Sequence, residues 1–398
     1  MTLRTLDDAG DLAGRRVFVR ADFNVPLDAG VVADDLRIRA SVPTLRELLD
    51  RGVSLVLASH LGRPAGRPHD ELRMAPVADR VAELLDREVM PLDEVVGDAV
   101  EAVTSHLSPG EVVFLENLRF DPGEEANDAT FAGRLAELCD AYVDDAFGAV
   151  HREHASVCAL PELMHASGRP AVAGRLVQRE VEVLGRLLAG PEHPYVAVLG
   201  GAKVSDKLGT IRALADRVDA MLIGGAMAFT LIAAEGGEVG RSLVERDRFT
   251  EVREARAYAK ERDVLIEVPQ DVVAAPEIAA DADRRTVPAA DIPRDLMGLD
   301  IGPRTVEEFV RIIAEAKTIL WNGPMGVFEL EAFSAGTRGV ATAIAGADAF
   351  TVVGGGDSLL AVRRDGLGDA FDHLSTGGGA SLEFLEGRAL PGITVLED

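Results

Sequence analysis

Residues 195–207 read Tyr195-Val-Ala-Val-Leu-Gly-Gly-Ala-Lys-Val-Ser-Asp-Lys207. Five apolar residues make a short buried strand, a glycine pair ends it, and a segment with two lysines leads into a helix. The same strand–turn–helix rhythm runs outward in both directions. Toward the N-terminus, strand-like runs at 16–20, 54–58, 112–115 and 141–143 alternate with helical stretches that include 43–51, 75–86 and 130–140. The second half repeats the pattern with strands at 195–199, 220–223, 264–268, 318–321 and 350–353. Such alternation predicts an α/β fold with parallel, doubly wound (Rossmann-like) sheets covered by helices on both faces.

A boundary is legible near the middle. Apolar residues recur at helical spacing over 177–188, after Gly168-Arg169-Pro170 and before the breaker cluster Gly190-Pro191-Glu192-His193-Pro194. The expected organisation is a first lobe at 1–174, a connecting helix at 175–190, a second lobe at 191–386, and a tail at 387–398 returning to the first lobe.

Composition narrows the function. The chain has 398 residues, 41 basic against 67 acidic, a net charge of −26 and 47% hydrophobic content. That much apolar material excludes a disordered polyanion. The acid excess disfavours nucleic acid as a partner, since backbone binding needs a basic footprint. No apolar run reaches the roughly 18–20 residues of a membrane span, and the first ten residues lack a signal-peptide core. Cys139 and Cys158 have no metal-like spacing and read as reduced thiols of a cytoplasmic protein. Of the 41 basic residues only four are lysine, Lys203, Lys207, Lys260 and Lys317. An acidic, lysine-poor surface resembles that of proteins adapted to high salt.

Glycines cluster after the second-lobe strands, at Gly200-Gly201, Gly224-Gly225, Gly323, Gly354-Gly355-Gly356 and Gly377-Gly378-Gly379. Tight βα turns explain any one cluster. Five in succession point to ligand approach at the carboxyl edge of the sheet, where helix N-termini favour anions. Lys203 and Lys207, four apart, would share a helix face and could meet one phosphate chain; a solvated basic face is the alternative. In the first lobe, arginine or histidine recurs just past strands: Arg20 with Asp22 and Asn24, His60 and Arg63, Arg119, then His151, Arg152 and His154. Forked guanidinium donors suit carboxylate and phosphate, so the recurrence argues for a small polyanionic substrate. There is no GxxxxGK[ST] loop, GxGxxG fingerprint, HExxH or GxSxG.

These segments carry a family resemblance. RADFNVP, LRIRASVPTL, SHLGRPAGRP, ENLRF, VDDAFGAVHREHAS, LGGAKVSDK, GLDIGP, WNGPMGVFE, VVGGGDSLLAV and STGGGASLEFL occur in the order found in phosphoglycerate kinases. The resemblance runs nearly end to end. It implies magnesium-dependent phosphoryl transfer between 1,3-bisphosphoglycerate and ADP, with domain closure and no partner beyond these small molecules, so a monomer is the expectation. It also implies roles. Asp22, Asn24, His60, Arg63, Arg119 and Arg152 bind the glycerate ligand, and Arg20, His151 and His154 complete its basic patch. Arg37 stands at the transferring phosphate, and Lys203 and Lys207 meet the phosphate chain. Asn322, Glu329, Gly355, Gly356, Asp357 and Ser358 belong to the nucleotide site, Asp357 with magnesium and Glu329 with the ribose. Gly201, Gly224 and Gly225 let backbone approach the nucleoside, while Gly378 and Gly379 face the transferring group. Ser358 stands where the family commonly has threonine, and Gly148-Ala149-Val150 replaces the usual small-residue run before His151.

The chemistry is consistent with the absence of a catalytic Ser/His/Asp set. A phosphate oxygen or a carboxylate is already ionised at pH 7, so the attack needs no general base. What it needs is charge neutralisation and alignment. A nucleotide-sensing protein without catalysis and an NAD-dependent dehydrogenase are the alternatives.

Overall fold

The computed structural model describes residues 2–397. The chain divides into two compact units, one running up to Glu182 and resuming at Ala389, the other Val183–Arg388. Among the described residues no helix is long and apolar enough to cross a membrane.

In the first unit β1 (Arg16–Ala21), β2 (Ser54–Ala58), β3 (Met90–Pro91), β4 (Val112–Phe114), β5 (Ala141–Asp145) and β6 (Ala171–Ala173) form one sheet in the order β3-β4-β2-β1-β5-β6. Every pairing in it is parallel. All five residues of β2 and of β5 are buried; β2 reads as a nearly continuous apolar run after Ser54, whereas β5 ends in the buried carboxylates Asp144 and Asp145. The strand order turns back at β1, which places the crevice beyond its carboxyl end. There Arg20 lies between Ala58 and Asp144 of the neighbouring strands.

One helix begins earlier than its sequence suggests. Pro43 reads as a helix start, yet the helix spans Leu36–Asp50 with Pro43 inside it. Proline removes one hydrogen bond, but Ile38, Ser41, Leu45 and Leu48 are buried along one face and keep the helix running. The consequence is functional: Arg37 stands on the first turn of a helix, not in a loop before it.

The helix Arg175–Ala189 starts from a tight junction. A Cβ on Gly174 would lie 2.1 Å from Asp145 Oδ1, and that oxygen accepts from Leu176 N at 3.0 Å and Thr44 Oγ1 at 2.9 Å. The C-terminal segment forms the short helix Pro391–Thr394, with Gly392 close against Val150 and Val157 and Leu396 O accepting from Arg4 N.

The second unit carries β7 (Tyr195–Leu199), β8 (Ala220–Ile223), β9 (Leu265–Glu267), β13 (Thr318–Asn322), β14 (Phe350–Gly354) and β15 (His373–Leu374) in the parallel order β9-β8-β7-β13-β14-β15. It also holds an antiparallel sheet that sequence patterning does not reveal. This is β11-β10-β12, built from β10 (Asp271–Ala275), β11 (Arg285–Pro288) and β12 (Met297–Ile301). β11 is largely exposed and polar, and Gly298 interrupts β12, so neither shows a clear period.

Candidate active site

The first unit gathers its cations at the carboxyl ends of β1, β2, β4 and β5. Arg20 is fully buried: its guanidinium donates to Ser156 Oγ at 2.8 Å and lies 3.2 Å from His60 Nδ1. It therefore supports the site from behind rather than lining it. Ser156 in turn donates from N and Oγ to Glu124, a fully buried carboxylate 3.8 Å from both Arg20 and His154. Asn24 Oδ1 accepts from Gly62 N at 2.9 Å, which orients its amide. Arg119 donates to Gly62 O at 2.8 Å, and Arg37 donates to Asp22 Oδ2 at 2.7 Å. His151 and Arg152 are half-buried, and Arg63 is exposed.

Electrostatics fix the state of the histidines. Burial, then the charges of Arg20, Arg119 and Arg37, pull His60 well below the ordinary imidazole value. His154 is lowered to about 3 by burial and by Arg119, Arg20 and Arg152. Both rings are neutral at pH 7 and suit hydrogen bonding to a ligand, not proton exchange with it. The crowd of arginines, Arg20, Arg37, Arg119 and Arg152 among them, is only partly balanced by Glu124, Asp22 and Glu125, the last 3.3 Å from Arg119, so the crevice keeps an excess of positive charge for a small anion.

In the second unit three loops pack backbone to backbone. Gly201 N donates to Pro324 O at 3.1 Å, Gly225 N to Met325 O at 3.0 Å, and Gly200 N to Asn322 O at 3.0 Å. A Cβ on Gly225 would sit 2.5 Å from Gly201 N, and φ there is +65°, so only glycine fits without distortion. Beside these loops opens a cavity of about 310 Å³. Gly201, Gly225, Glu329 and Asp357 line it, with apolar walls from residues such as Phe229, Leu243, Ile278 and Met325. Gly224, Asn322 and Ser358 support it from behind. A Cβ on Gly224 would strike Met325 Sδ, Asn322 is buried, and Ser358 Oγ accepts from Gly323 N at 2.6 Å. Gly355 and Gly356 open the helix Gly356–Arg364, whose first turn carries the exposed Asp357. Gly378, with φ +53°, precedes the helix Gly379–Leu385.

The two lysines do not share a helix face. The helix begins only at Leu208, and 203–207 form the turn before it. Lys203 is exposed, whereas Lys207 is buried with Nζ donating to Asn322 O at 3.2 Å and contacting Asn322 Oδ1. Burial lowers Lys207 to about 8, although Asp206 and Asp357 act the other way. A Cβ on Gly201 would lie 3.9 Å from Lys207 Cε, so the ammonium sits close to the cavity wall.

Sequence reading passed over the apolar walls of this cavity and the buried carboxylates Glu124 and Asp300. Asp300, at the cavity, accepts from Gly336 N at 2.7 Å and is raised to about 7 by burial. No local spacing marks such residues, because their partners lie tens of residues away.

The arrangement, cations in one crevice and a lysine-edged apolar cavity in another, can hold two small anions. The phosphoglycerate kinase family matches this sequence over residues 6–388. The chain belongs to that family. The phosphoglycerate kinase of Salinispora tropica is 56% identical over 406 residues, covering all of both chains. That of Moorella thermoacetica is 50% identical over 398 residues, again covering both in full. Among solved structures, phosphoglycerate kinase from Coxiella burnetii superposes with a TM-score of 0.87 at 38% identity, over 99% of each chain. The enzyme from Pyrococcus horikoshii does so with 0.84 at 31%, over 99% of this chain and 98% of the other. The dehydrogenase alternative falls with the family match.

Proposed function

We propose that each unit binds one substrate of the family's reaction at the carboxyl edge of its sheet. The chain is a phosphotransferase with a carboxyl acceptor, moving a phosphoryl group reversibly between 1,3-bisphosphoglycerate and ADP to give 3-phosphoglycerate and ATP. Asp22, Asn24, His60, Arg63, Arg119, His151, Arg152 and His154 hold the glycerate ligand, with Arg20 behind them. Gly201, Gly224, Gly225, Asn322, Glu329, Gly355, Gly356, Asp357 and Ser358 form the nucleotide site. Arg37, Lys203, Lys207 and the backbone at Gly378 and Gly379 neutralise the group in flight.

The second-unit cavity supports this reading most. Its walls are apolar enough for a base, and we assign Glu329 in its lining to the ribose and Lys207, behind Gly201, with the Gly356–Arg364 helix start to the phosphates. Asp357 is exposed at its edge with no ion pair among the described residues, which fits a magnesium ion shared between one carboxylate and nucleotide phosphates. Bound there, magnesium would spread the negative charge of the phosphate chain.

The nucleophile is ionised at pH 7, so the protein's work is alignment, charge neutralisation and exclusion of water. Exclusion of water from an acyl phosphate requires the units to close on their ligands, with the helix Arg175–Ala189 and the tail after Gly387 as hinges. Small-angle scattering should show a smaller radius of gyration with 3-phosphoglycerate and magnesium–ATP together than with either alone. An unchanged radius would refute closure.

We read the protein as a cytoplasmic monomer without nucleic-acid or membrane partners. The acid excess is read as adaptation to high salt. The melting temperature is then expected to rise steeply from low to multimolar KCl, and equal values would end that reading.

A further inference from the structure

Glu245 belongs to none of the motifs above, yet it grips the turn that carries both lysines. Its Oε1 accepts from Ser205 Oγ at 2.7 Å and its Oε2 from Ser205 N at 3.1 Å. Burial would raise this carboxyl, but hydrogen bonds from Ser205 and Val204 and the charge of Lys203 outweigh it, leaving it lowered and ionised at neutral pH. At its own backbone, Glu245 N donates to the buried Thr230 Oγ1 at 3.1 Å. Thr230 lies on the helix Met227–Ala234, which starts beside the cavity residues Gly225 and Ala226. Two residues before Glu245, Leu243 lines the cavity. One short segment therefore touches the base pocket, the helix behind it and the lysine turn.

The turn needs such a hold. It is non-helical, and it sits between a glycine pair and a helix of seven residues. A carboxylate accepting both donors of one serine fixes the backbone midway between the lysines without occupying either.

We propose that Glu245 is a positioning residue for phosphoryl transfer, holding Ser205 so that Lys203 and Lys207 are presented together to the nucleotide phosphates. The inference rests on the reading of those lysines as phosphate ligands, and the test separates the two.

Steady-state kinetics would be run from ATP and 3-phosphoglycerate on Glu245→Gln, Ser205→Ala, Ser205→Thr, the Glu245→Gln/Ser205→Ala double variant and Lys203→Ala, with melting temperatures for each. Glu245→Gln should lower kcat/KM for ATP on the order of tenfold, the scale of one lost hydrogen bond to a charged group, with KM for 3-phosphoglycerate unchanged. Ser205→Ala should move the same parameter. The double variant should be little worse than the worse single one, because both act on one pairing: Ser205→Ala removes its hydroxyl bond and leaves the backbone one, and Glu245→Gln weakens the pair. Ser205→Thr, which keeps the hydroxyl, should restore most of the loss. Additive losses, equal changes for both substrates, or activity gained on freeing Lys203 would each overturn the inference. If Lys203→Ala leaves the ATP parameters intact, the phosphate reading itself fails, whatever Glu245 does.

Discussion

Replacing Arg37 by alanine is expected to lower kcat by about 10³-fold or more while 3-phosphoglycerate still binds. The magnitude is that of a guanidinium removed from a transferring phosphoryl group. Arg37 stands on the first turn of the helix Leu36–Asp50, and its guanidinium donates to Asp22 Oδ2 at 2.7 Å. About a third of its side chain is exposed, so part of the donor fork remains available to a ligand. The proposed ligand-holding side chains of Asn24 and Arg119 are each tied to Gly62, so these contacts do not run through Arg37. Arg37→Lys, which keeps the charge but loses the fork, should recover only part of the rate. Calorimetry gives the binding constant and a coupled assay the rate. Turnover of the alanine variant within tenfold of the unmodified chain would sink the assignment.

Lys207→Met should cost about 10²–10³-fold in kcat/KM for nucleotide, as loss of one preorganised donor does elsewhere. A pH signature makes this specific. Lys207 is lowered to about 8 by burial, so the free enzyme loses this charge as pH rises through 8. A phosphate beside it favours the protonated form. Nucleotide binding is therefore expected to weaken above pH 8 and to take up a proton there, seen as a buffer-dependent heat in calorimetry. In the methionine variant that dependence should vanish. The sign for stability is opposite. The unfolded lysine, at its ordinary value of 10.5, binds more protons than the folded one between pH 8 and 10.5, so this group's contribution becomes less unfavourable across that window. Nucleotide affinity flat from pH 7 to 9.5 would contradict the buried, charge-bearing role.

Much of the fold was legible because its central strands are buried on both faces. The runs at 54–58, 195–199 and 220–223 coincide with observed strands, since an unbroken apolar run between turn residues has few other uses in a chain of this composition. The antiparallel sheet shows no such pattern: its central strand Asp271–Ala275 is buried, but Arg285–Pro288 on one side is largely exposed and polar, and Gly298 interrupts Met297–Ile301 on the other. Pro43 misplaced a helix start because local chemistry was outvoted by the buried face of the helix Leu36–Asp50. The lysine turn was misread for a related reason. Spacing of four suggests a helix face, but Lys207 is drawn into the protein toward Asn322, 115 residues away. At the site, motifs marked the polar residues, while what holds them, Glu124 under the basic patch and Glu245 under the lysine turn, depends on contacts no local pattern records.

The most direct measurement is a coupled assay with ADP, magnesium and 1,3-bisphosphoglycerate, run side by side on the unmodified chain and Arg37→Ala. ATP and 3-phosphoglycerate are expected in equal amounts from the unmodified chain, with a rate about 10³-fold lower in the variant. No ATP from the unmodified chain, or equal rates from both, would contradict it.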